Sequence, residues 1–70
     1  MKGGKYNMQI RKGTKLKYQY ENEEDIFTII GTRQLRNKYY YIFTDSKNIK
    51  QSLTRESILD GIERKVLRII

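Results

Sequence analysis

The chain lacks cysteine, histidine, proline and tryptophan. Without cysteine there are no disulfide staples, thiolate nucleophiles or thiolate metal ligands; without histidine the usual imidazole base and the other common zinc ligand are missing too. A cysteine-free chain suits a reducing cytoplasm. No apolar run approaches the length of a membrane span, and the opening MKGGKYNMQIRKG is charged but lacks the apolar stretch of a secretory signal. These absences lead us to expect a soluble, cytoplasmic protein with no membrane partner. At 70 residues the chain offers one small domain, near the lower limit for a single hydrophobic core and too small for an enzyme-sized cleft.

Catalysis is disfavoured on chemical grounds as well. Acid–base work needs groups whose surroundings drive their pKa values apart within a pocket, whereas Glu21, Glu23, Glu24 and Asp25 crowd into one polar segment, ENEED. KGGK, Lys2–Lys5, lacks the spacing, the hydroxyl residue and the preceding strand of a phosphate-binding loop. The ENEED carboxylates are hard oxygen donors, but they miss the spacing of a calcium loop and have no turn glycine, so a solvated, self-repelling loop is the simpler reading. The expectation is a non-enzymatic protein with no cofactor.

What the chain does have is positive charge: 15 Lys and Arg against 8 Asp and Glu, a net charge of +7 and a pI near 9.8. Such a balance favours anionic partners through long-range attraction. The distribution is uneven, since residues 1–20 carry Lys2, Lys5, Arg11, Lys12, Lys15 and Lys17 without an acid, and the four acids of ENEED follow at once. Heavy use of Lys, Ile, Asn and Tyr also fits a low-GC coding background, which by itself raises surface lysine.

Residues 1–8 show no apolar period and read as a flexible basic tail, leaving residues 9–70 as the domain. In KLKYQY, Leu16, Tyr18 and Tyr20 alternate with Lys15, Lys17 and Gln19, the period of a strand with one buried and one wet face. ENEED follows as a loop, and IFTII, rich in β-branched residues, makes a second strand ended by Gly31. The turn QLRNK leads into KYYYIFT, and DSKN into a fourth strand, IKQSL. In KYYYIFT, alternation assigns Tyr39, Tyr41 and Phe43 to the core and leaves Tyr40 as a presented ring; a slip of one residue exchanges these roles. Tyr18, Tyr20 and Phe27 are further core candidates, because few other large side chains exist to fill one. Thr54 is placed to cap a short helix with Glu56 in its first turn and Asp60-Gly61 as its stop. The final ERKVLRII reads as a fifth strand, although Ile58, Ile62, Val66 and Ile69 also keep a helical spacing through Gly61.

The order KLKYQY, DIFTIIGT, YYYIFTD, NIKQSLT, ESILDGI, KVLRII over residues 14–70 resembles that of SH3-like barrels. The resemblance implies a mainly β fold: a small five-stranded barrel with one short helical turn before the last strand, and ENEED at its long first loop. The ending LTRESILDGIERKV also resembles the C-terminal ends of short SH3-like proteins encoded by phages and mobile elements of Gram-positive bacteria. The chain lacks tryptophan and, after its first strand, the adjacent aromatic pair by which peptide-binding SH3 domains receive proline-rich ligands.

Aromatic rings interleaved with bases suit nucleic acid, because rings stack on bases while Lys and Arg hold phosphates. The residues that fit are Lys12, Lys15, Lys17, Arg33, Arg36, Lys38 and Tyr40, with Tyr6 in the tail. RNA and DNA are not distinguished by this pattern. The competing reading is a module that docks on a host protein, for example a defence component, through strand edges or the apolar ending RKVLRII, with weak self-association through the same edges. A basic amphipathic element at the C-terminus for membrane surfaces is a third, less economical reading, since the core needs those residues.

Overall fold

A computed structural model describes residues 10–70; the tail 1–8, with Tyr6, lies outside the described residues. Five strands, β1 (Lys15–Tyr20), β2 (Glu23–Leu35), β3 (Lys38–Thr44), β4 (Lys50–Thr54) and β5 (Leu67–Ile69), form one antiparallel sheet with the helix α1 (Arg55–Glu63) between the last two. The strand order is β4-β3-β2-β1-β5. The two edges do not pair, so the expected closure into a barrel is absent. The reason is geometric: β5 is only three residues long, and α1 packs against both β4 and β5 across the gap between them.

Strand β2 departs furthest from expectation. It runs thirteen residues, absorbing Glu23, Glu24 and Asp25 of the expected acidic loop at one end and passing through Gly31 at the other. Its first half pairs with β1 and its second half with β3, the two ladders sharing Thr28. The long first loop implied by the SH3 resemblance is therefore a two-residue turn, Glu21–Asn22, with Glu21 left-handed at φ 54°. The next turn is equally tight, Arg36–Asn37, with Arg36 also at φ 54°. Gly31 follows a bulge: Ile29 opposes Phe43 and Gly31 opposes Ile42, so Ile30 faces no partner on β3. One extra residue exchanges the two faces of a strand. Before the bulge odd-numbered residues such as Ile29 take the core side; after it Thr32, exposed but opposite Tyr41, takes that side, and Arg33 and Leu35 turn to the other.

The core lies between α1 and one face of the sheet, and consists of Leu16, Ile29, Tyr41, Phe43, Ile58 and Leu67. Tyr18 and Phe27, half-buried, extend it as a row of rings, Tyr18 on Phe27 at 5.5 Å and Phe27 against Phe43 at 4.5 Å between centroids. Tyr41 and Phe43 take the core places that alternation assigns them, but Tyr20 and Tyr39 do not: they are 53% and 37% exposed. A nine-residue helix is about 14 Å long, and α1 packs against β3, β4 and β5, so it is too short to cover the whole face of a sheet whose central strand runs thirteen residues. Tyr20 at the end of β1 and Tyr39 at the start of β3 lie beyond its cover, and Tyr39 packs edge-on against Tyr41 at 5.6 Å instead.

The helix starts as expected, with the Thr54 hydroxyl oxygen accepting from the Ser57 backbone N–H at 3.2 Å. It does not stop at Gly61. The end is a Schellman arrangement around Lys65, held at φ 64°: the Lys65 N–H donates to the Ile62 carbonyl and the Val66 N–H to the Gly61 carbonyl. Gly61 serves close approach instead, since a Cβ there would stand 2.8 Å from Cδ1 of Leu67. Residues 62–70 are thus split, helix to Glu63 and strand from Leu67.

Candidate nucleic-acid interface

Directly opposed residues in an antiparallel ladder share a face, so the register maps the side of the sheet turned away from α1. One row crosses four strands: Lys15, Thr28, Thr44, Lys50. To one side lies Arg68, Lys17, Ile26; to the other, Gly31, Ile42, Ser52 and then Arg33, Tyr40, Thr54, with Leu35 and Lys38 at the end. Among the described residues six cations therefore share this outer face, Lys15, Lys17, Arg33, Lys38, Lys50 and Arg68, against one carboxylate, Glu24, paired with Gln19 at its rim.

None of the six is neutralised: among the described residues the one ion pair joins Arg64 to Asp60 at 3.0 Å, behind the sheet. Glu24 and Asp25 share a depression with Lys17 at one rim of the face, and the other acids keep away from it. Glu56, Asp60 and Glu63 ride on α1, and Asp45 is consumed by its own turn, accepting from the N–H groups of Lys47 and Ile49 and from the Gln51 amide. Asp25 accepts from the N–H of Ile26 at 2.7 Å and of Ser46 at 3.0 Å, which ties the start of β2 to the β3–β4 turn. Hydrogen bonding from the Ser46 side chain, with those two N–H groups and the Lys47 charge, holds its carboxyl below the ordinary carboxylate range.

Of the residues singled out in the sequence, Lys15, Lys17, Arg33, Lys38 and Tyr40 occupy this face together. Arg33 joins them only because the bulge turns it outward. Lys12 and Arg36 stand in turns at its border: Lys12 in the turn closed by the Thr14 N–H on the Arg11 carbonyl, Arg36 between β2 and β3 beside Tyr40. Tyr40 is half-buried rather than fully presented, packed in a shallow depression of about 400 Å³ with Arg33, Leu35, Ile42, Lys50 and Ser52. Lys50 and Arg68 were missed by sequence reasoning. The signal was present in the alternation of Lys50 and Ser52 with Leu53, and of Arg68 with Leu67, but both strands are short and lie at the edges.

Among the described residues no three His, Cys, Asp or Glu side chains are grouped to hold a metal ion, and no helix is long and apolar enough to cross a membrane. Comparison with family models, with curated proteins and with solved structures finds no significant match to this chain.

Proposed function

We propose that this is a non-enzymatic, cytoplasmic binding module that holds nucleic acid on the outer face of its sheet. The observation that carries the reading is the segregation of charge: six cations free of ion pairs share a face with one carboxylate at its rim. A face of this kind draws phosphates by releasing their condensed counterions. The order of elements and of strands supports taking the fold as an SH3-like barrel left open between its edges, akin to the small barrels of Gram-positive phages and mobile elements.

The test is fluorescence anisotropy of labelled DNA and RNA at low and near-physiological salt. If all six cations meet phosphates, log affinity falls against log salt with a slope of about −4 to −5. Joint replacement Lys15→Glu and Lys50→Glu should abolish binding at physiological salt while leaving the melting temperature nearly unchanged, since both side chains are exposed and neither is in the core. Absence of binding at low salt sinks the reading.

A second reading, docking on a host protein, is favoured by the other side of the molecule. There an apolar groove beside α1 is lined by Tyr18, Phe27, Phe43, Leu53, Val66 and Leu67, and Ile69 and Ile70 are exposed at the open β5 edge. Such docking would tolerate salt and fail on Tyr18→Ala, the reverse of the first pattern.

A further inference from the structure

Among the described residues Tyr40 is the one aromatic residue on the cationic face, and its surroundings are not those of a phosphate site. It is flanked in register by Arg33 on β2 and Thr54 on β4, with the Ile42–Ser52 pair in the neighbouring row. The depression around it is lined by two apolar side chains, exposed Leu35 and half-buried Ile42, together with the Tyr40 ring, Arg33, Ser52 and Lys50. Gly31 stands in the Ile42–Ser52 row with no heavy atom within 4 Å of where a Cβ would be, so nothing rises there to block the approach. Phosphate needs none of the apolar parts. An unpaired base needs all of them: a π-face to stack, a cation over or beside it, a hydroxyl for its polar edge and an ammonium for the adjoining phosphate.

We propose that the Arg33–Tyr40 row is a base-binding subsite, and that the face consequently takes single-stranded nucleic acid in preference to duplex. The proposal rests on the reading of the outer face given above. Bases in a duplex are stacked on each other and cannot lie on Tyr40, so a duplex engages the cations alone. A single strand engages the cations and the subsite, and its advantage is the stacking of one base.

Anisotropy with labelled oligothymidine, oligouridine and a duplex of equal length, at one fixed salt, tests this. The single strands should bind more tightly than the duplex, and Tyr40→Leu should weaken single-strand binding by about 5- to 150-fold, the range for loss of one base–aromatic stack. Duplex affinity should stay within about twofold, and Tyr40→Phe should bind like the parent, because stacking needs the ring and not its hydroxyl. Leucine keeps apolar cover over the half-buried site, and an unchanged melting temperature reports that the fold survives. Arg33→Ala is the second variant; Arg33 is exposed and outside the core, and because it is also one of the six cations its loss should weaken both ligands but the single strand more, an excess that decides the matter even if Tyr40→Leu unfolds. Equal affinity for duplex and single strand, or equal losses for both in the variants, overturns the subsite while the cationic face stands. No binding of either at low salt overturns both.

Discussion

The two faces of one sheet differ in everything except their backbone. Toward α1, β1 to β3 contribute Leu16, Phe27, Ile29, Tyr41 and Phe43, and no cation from any strand points that way; on the other side the same strands carry half-buried Lys17 and put Lys15, Arg33 and Lys38 into water. Strand periodicity alone accounts for β1 and β3. It does not account for β2, where the side chains cross from one face to the other at Ile30, so that Arg33 and Leu35 face outward although they keep the odd spacing of Phe27 and Ile29. A single unpaired residue therefore helps to assemble both surfaces, closing the core at Ile29 and completing the basic face at Arg33.

The sharpest way to break the comparison is to remove one large apolar side chain from each side. Phe43 is 1% exposed at the centre of the core, so Phe43→Ala should cost about 3–5 kcal/mol, a large part of the margin of a domain this small. Ile42, its neighbour on the outer face, is half-buried, and Ile42→Ala should cost about 1–2 kcal/mol, the smaller transfer and cavity loss of a site open to water. Urea unfolding measures both; similar losses would mean that the outer face is structural rather than presented.

The two internal glycines should respond with opposite signs. Gly61→Ala gains about 1 kcal/mol of helix propensity, but drives its methyl to 2.8 Å from buried Leu67, and overpacking of this kind costs about 1–3 kcal/mol. A net loss of about 1 kcal/mol is expected. Gly31→Ala meets open space at an ordinary φ and should stabilise by about 0.5–1 kcal/mol through reduced freedom of the unfolded chain. Parallel denaturation curves for the pair check this, and a stabilised Gly61→Ala would show that Leu67 yields easily.

Those glycines also mark where the sequence could and could not be read. Alternation in KLKYQY and KYYYIFT made the faces of β1 and β3 plain, and Thr54 announced its helix. Gly31 and Gly61 looked like stops because glycine commonly is one, yet one follows a bulge and the other admits a neighbour. The actual stops are non-glycine residues in left-handed backbone, Glu21, Arg36 and Lys65, which composition gives no reason to suspect. ENEED looked like a loop by charge, but ladder pairing with Tyr18, Gln19 and Tyr20 overrode it. For the candidate site, Lys15, Lys17, Lys38 and Tyr40 followed from alternation, Arg33 needed the bulge, and Lys50 and Arg68 needed the edge strands to be located first.

A smaller effect separates the sides by pH. The folded-state pKa of Asp25 is depressed by Ser46, Ile26 and Lys47, so the stability it contributes is fully present above its unfolded value near 3.8 and is lost as pH falls through the lower folded value. Melting temperatures taken between neutral pH and strong acid should drop below about pH 4 in the parent, and Asp25→Asn should reduce that drop while lowering stability at neutral pH. An identical acid response in the variant would mean that the link from β2 to the Ser46 turn is not what the acid breaks.

The smallest effect belongs to the ion pair behind the sheet. Arg64 and Asp60 meet at 3.0 Å, but their side chains are 72% and 57% exposed, and such i, i+4 pairs contribute about 0.3–0.5 kcal/mol, screened by salt. Arg64 also caps the helix C-terminus, where its charge faces the negative end of the dipole. Replacement by methionine removes both charge effects and keeps much of the side-chain length, so Arg64→Met should lose less than about 1 kcal/mol at low salt and almost nothing in molar salt. It should leave nucleic-acid affinity unaltered, because Arg64 lies on the helix side and contributes to no row of the outer face. An affinity loss as large as that from one outer-face lysine would instead mean that net charge, rather than its placement, holds the ligand, and the distinction between the faces would fail there.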